Sequence, residues 1–86
     1  MEQYVIVVET GYKLGSANHK ITPTDPMERL EAQKLFIELM ENGHPDLLPE
    51  KKDTSILEVS AVEFIRLHRA MGGAVELDRV TLARVR

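Results

Sequence analysis

The chain has 86 residues, of which 43% are hydrophobic and 29% charged, with no cysteine and a formal net charge of −3. Such a composition fits one folded domain over residues 1–86 rather than a disordered chain, and it excludes disulfides and thiolate-bound zinc as sources of stability. The charge is unevenly placed: residues 24–53 hold eight acids and four bases, whereas residues 61–86 hold five arginines and three acids. General affinity for nucleic acid is therefore not expected, while a local arginine surface is.

No apolar run approaches the ~20 residues of a membrane span, and the N-terminus has no basic region followed by an apolar stretch. A soluble, cytoplasmic protein without membrane contact is expected.

Residues 4–8, YVIVV, are β-branched and aromatic without alternation, the pattern of a central strand covered on both faces. The loop after it contains Gly11, Lys13, Gly15, Ser16, His19 and Lys20, and Asn18 to Thr22 can return as a short edge strand. The first helix is signalled by Asp25 as cap, Pro26 at the first helical position and Glu28 at capping-box spacing. It ends at Asn42 and Gly43, before Pro45. At 100° per residue, Ala32, Leu35, Phe36, Leu39 and Met40 share the buried face. Leu30 and Ile37 lie beside the charged row of Glu31, Lys34, Glu38 and Glu41, and are expected at the surface.

The linker HPDLLPEKKD carries Leu47 and Leu48 as its anchor. Beyond it, Ser55 and Glu58 have capping-box spacing, and no turn residue separates Val59 from Ser60, so the pattern predicts one helix from about 55 to 71, stopped by Gly72 and Gly73. That helix would bury Leu57, Ala61, Phe64, Ile65, His68 and Met71, and present Val59, Val62, Arg66 and Arg69 as a row on its other side. In the last segment the apolar positions change parity at Asp78-Arg79, which predicts a strand with a bulge there. The expected fold is α+β, with two helices packed on one face of a small, mainly antiparallel sheet formed by the N- and C-terminal segments.

Little of this points to chemistry. The opening loop lacks the Gly-Lys-Ser/Thr at the start of a helix that a phosphate loop needs; as a weaker anion or partner loop it would use Lys13, His19 and Lys20. The three histidines are widely spaced, with no pair at i, i+4 to ligate a metal. His68 is expected as a hydrogen-bonded core residue, and His44 at the carbonyl end of the first helix. Ser16 is not in a strand-to-helix elbow. No catalytic residue, metal ligand or cofactor is assigned, and an enzyme is not expected.

What remains is binding. An apolar centre with arginine at its rim has the composition of a protein interface. Val59, Val62, Arg66 and Arg69, with Leu30 and Ile37, form the candidate surface. The expected function is a non-enzymatic protein-protein interaction module, a small regulatory, inhibitory or assembly protein whose partner is another protein or a second copy of itself. The alternative is a nucleic-acid-binding protein using the arginines of the C-terminal half.

Overall fold

The computed structural model describes residues 2–13, 20–49, 54–69 and 75–86. In chain order these form β1 (Tyr4–Lys13), β2 (Lys20–Pro23), α1 (Arg29–Asn42), β3 (Thr54–Ser60), β4 (Glu63–Arg69) and β5 (Val75–Arg84). The strands make one sheet in the order β2-β1-β5-β4-β3, and every neighbouring pair is antiparallel. The fold is thus α+β, with one helix on a five-stranded antiparallel sheet rather than two helices. No helix among the described residues is long and apolar enough to cross a membrane.

Over residues 55–69 the helix expected from 55 to 71 is replaced by the hairpin β3–β4, and Ala70, Met71 and the expected stop at Gly72 and Gly73 lie outside the described residues. Ser60 pairs with Glu63, Ala61 and Val62 form the turn, and the Ser60 hydroxyl accepts a bond of 3.2 Å from the Val62 N–H. Serine here supplies the local side-chain bond that makes a turn. The β-branched residues Ile56, Val59 and Ile65 suit the pleated backbone better than a helical one. In β4, Phe64, Arg66 and His68 are buried while Ile65 and Leu67 are half-buried, which is the period of two that a strand imposes.

Helix α1 starts later than its cap signals suggest. Met27 exchanges two backbone bonds of 2.8 Å with Tyr4, so its backbone is held against β1 and the helix begins at Arg29 after Glu28. Asp25 therefore does not cap it. The far end is as expected: Gly43 adopts φ 72° and its N–H bonds back to the Leu39 carbonyl at 3.1 Å. His44 does not meet the helix carbonyls; its Nδ1 accepts from the N–H groups of Asp46 and Leu47 at 3.1 and 3.2 Å. That turn delivers Leu48 into the core.

Helix α1 packs against β1 and β5. Beneath it lie Ile6 and Val8 of β1, Phe64 of β4, and Val80 and Leu82 of β5, joined by Ala32, Phe36, Leu39 and Leu48. Phe36 and Phe64 meet edge to face, with centroids 5.3 Å apart. The bulge expected in the last strand lies on its neighbour instead. Strand β5 runs in unbroken register beside β4, but opposite it Glu9 pairs with Arg79 and Tyr12 with Leu77, so Thr10 and Gly11 together face Asp78. Gly11 has φ 79°, which glycine adopts at little cost. The parity change in β5 has another cause: Val75 and Leu77 turn to one face of the sheet and Val80 and Leu82 to the other, because both faces carry apolar residues.

Candidate protein-binding surface

Residues paired directly across an antiparallel sheet point to the same side. The registers therefore sort the sheet into a face under α1 and an opposite face. The opposite face carries Val5 and Val7 of β1, Ile65 and Leu67 of β4, and Leu77 of β5, all half-buried. Ile21, Leu57 and Val75 extend it as exposed apolar residues. Among the described residues strand β1 is therefore covered on one face, not two.

Among the described residues no second layer packs on this face. Five strands about 4.8 Å apart and some six residues long span roughly 500 Å² in projection. Apolar side chains cover part of that area, and large contiguous apolar patches are common at interaction sites. The middle of the face is crossed by charge: Glu9 is paired in register with Arg79, and Arg79 Nε lies 3.3 Å from Glu63 Oε2. The charged bar separates Val5 and Val7 from Leu67 and Leu77.

The residues singled out from helical spacing are not brought together as one row. Val59 sits in the bulge between Glu58 and Ser60, and Val62 in the turn; both are exposed at one tip of the hairpin. Arg69 is exposed at the other end of β4. Leu30, 78% exposed, and Ile37 lie on α1. Lys20 opens β2. Of Lys13 only the backbone, at the end of β1, is described, and His19 lies outside the described residues.

Arg66 is not a surface residue. It is 4% exposed on the helix side of β4, beside Asp78 at 1% and His68 at 4%. Its Nε donates to Asp78 Oδ2 at 2.9 Å and its Nη2 lies 2.8 Å from the same oxygen. Nη1 donates to the Pro49 carbonyl at 2.8 Å. His68 Nε2 is 3.1 Å from Asp78 Oδ2, and its Nδ1 is 3.6 Å from Glu76 Oε2. The Gly11 N–H reaches Asp78 Oδ1 at 3.3 Å. One carboxylate thus ties together β1, β4 and β5, and through Arg66 the segment leading to β3. His68 is the hydrogen-bonded core residue expected of it, on a strand rather than a helix.

This cluster reads as architecture. Buried charge needs pairing and full hydrogen bonding, and here the bonds go to protein groups rather than towards a ligand. The other arginines are dispersed: Arg79 lies beside Glu63 on the open face, and Arg84 Nη1 is 3.2 Å from Glu2 Oε1. They do not converge on one phosphate-binding stripe. Among the described residues no group of three metal-ligating side chains is placed to hold a metal ion. The chain matches no family model, and no curated protein or solved structure matches it.

Proposed function

We propose that this protein is a non-enzymatic protein-protein interaction module, of the size and kind of a small regulatory, inhibitory or assembly protein, which works by having the open face of its sheet covered. The observation that carries this reading is the set Val5, Val7, Ile65, Leu67 and Leu77, aligned on one face with no described element packed over it. Covering such side chains removes apolar area from water at about 25 cal/mol per Å². The bar of Glu9, Arg79 and Glu63 then sets orientation. Val59, Val62 and Arg69 border this face and belong to its rim; Leu30 and Ile37, on the helix, belong to a separate surface.

Photo-crosslinking tests the reading. A photoreactive residue at Leu67 or at Val75, introduced in the cell that makes the protein, should trap the same discrete protein, whether foreign or a second copy. The same residue at Glu38, exposed on α1, should not. Identical featureless background from all three positions would contradict the proposal.

A further inference from the structure

The order of residues across the middle of the open face is self-complementary. Ile21 of β2 pairs with Glu9 of β1, Glu9 with Arg79 of β5, and Arg79 with Ile65 of β4. The row reads apolar, anion, cation, apolar, so half a turn about its centre returns the same outline with the two charges exchanged. Further along the same two central strands, Val7 pairs with Thr81 and Val5 with Ala83, a larger side chain beside a smaller one each time.

We infer that the partner of the open face is a second copy of this chain, packed face to face about a two-fold axis parallel to the strands and between β1 and β5. This rests on the reading of that face as the working surface and names its occupant. Such an axis lays each residue of β1 and β5 over the second copy's version of its own cross-strand neighbour. Glu9 then meets Arg79 of the second copy, and Arg79 meets Glu9 of the second copy. On the outer strands Ile21 meets Ile65. Val5 and Val7 face Ala83 and Thr81, so large side chains stand against small ones at the about 10 Å spacing of packed sheets, whose strands lie within about 30° of each other.

The other axes parallel to the strands fail on charge. An axis along β1 or β5 opposes Glu9 to Glu9 or Arg79 to Arg79, and like charges so placed are unfavourable. Between β5 and β4, the axis lays Arg79 over Ile65 and Glu9 over Leu57, charge on hydrocarbon. Charges withdrawn from water between two sheets need partners. Here each Arg79 has Glu63 of its own chain, 3.3 Å from Nε, and Glu9 of the other. A foreign protein would have to bring the inverse pattern, whereas a second copy carries it, and the isologous contact serves both copies at once.

The dimer is layered helix, sheet, sheet, helix, with β3 projecting beyond the overlap. Four strands of each copy cover roughly 400 Å² in projection, so the contact buries about 800 Å² in all, below the about 1,200 Å² of stable complexes. Dissociation on dilution is therefore expected.

Light scattering of the purified wild type should show a mass rising from one chain towards two with concentration. Glu9→Arg or Arg79→Glu alone sets like charges opposite each other in the homodimer, and each should raise the dimer dissociation constant about tenfold. An equimolar mixture of the two variants restores opposite charges at both contacts. It should return a dimer of wild-type affinity that native mass spectrometry resolves as one chain of each kind. Mixing leaves the charges within each chain unchanged, so recovery reports a contact between copies. Ile21→Asp, on an edge strand at a residue 54% exposed, should weaken the dimer by a similar factor with an unchanged far-UV circular dichroism spectrum.

A one-chain mass at every concentration up to about 1 mM overturns the inference, as does a mixture of the folded charge variants that stays monomeric. Should a charge variant fail to fold, a dimer left unchanged by Ile21→Asp overturns it instead. If the purified protein stays a single chain while the Leu67 photoprobe traps a discrete foreign protein, the second copy is excluded and the reading of the face as a contact surface stands. If the photoprobe also gives only background, both fall.

Discussion

Asp78→Ala is expected to remove about 3–5 kcal/mol of folding stability, because it leaves the Arg66 guanidinium in the interior without its carboxylate. Asp78 is 1% exposed and accepts from Arg66 and from the Gly11 N–H, with His68 against the same oxygen as Arg66. Total stabilities of about 5–15 kcal/mol are usual, and a small core places this chain at the lower end, so the variant should be largely unfolded near physiological temperature. The double variant Arg66→Met with Asp78→Leu should recover most of the loss, since replacing both partners by apolar groups is often close to neutral. Urea unfolding of the wild type and both variants checks this. A loss under about 1 kcal/mol in Asp78→Ala would mean that Arg66 reaches water.

Phe64→Ala should cost a comparable amount, about 3–5 kcal/mol. Phe64 is fully buried, packs edge to face on Phe36 at 5.3 Å and pairs with Val80 in the sheet. Its loss leaves a cavity between α1 and β4 that neither the sheet nor the helix can close alone, since both are also held by Ile6, Leu39 and Leu48. Phe64→Leu fills most of that space and should retain over half of the lost stability. Thermal unfolding followed by far-UV circular dichroism distinguishes the two. Equal destabilisation by both would mean that the aromatic edge contact, rather than volume, dominates.

Much of the first half of the chain was legible as sequence. The apolar spacing of Ala32, Phe36 and Leu39 identifies the buried face of α1, Gly43 its end, and Leu48 the anchor after it. The exposed positions of Leu30 and Ile37 follow from the same helical spacing. The return of residues 20–22 as an edge strand is found as β2. The second half misleads for a physical reason. A strand with apolar residues on both faces has no alternation to read, and Ser55, at capping-box spacing from Glu58, is instead the second residue of β3, while Ser60 lies at the hairpin turn. Ser60 is the residue that separates the readings: its hydroxyl bonds to the N–H two residues ahead, a turn, rather than three ahead, a helix cap.

The candidate site was only partly legible for the same reason. Val59 and Val62 are exposed as expected, but Arg66, placed beside them by a helical wheel, is directed into the interior by the two-residue period of β4. The signal that could have placed it was chemical but weak: Asp78 has the same two-residue parity as Val80 and Leu82 in VELDRVTLAR, and a carboxylate buried on that face needs a cation. The open face could be read only once the pairing of Leu67 with Leu77 was known, because neither residue is unusual in its own segment.

The most direct test of a contact surface on the open face is hydroxyl-radical footprinting of the dilute purified protein against the same protein in extract of the cell that makes it. Oxidation of Ile65, Leu67 and Leu77 should fall together in the extract, while Leu30 on the helix stays equally reactive in both. Unchanged reactivity at all three sheet residues, with the protein intact and folded, would contradict the proposal that this face is covered when the protein works.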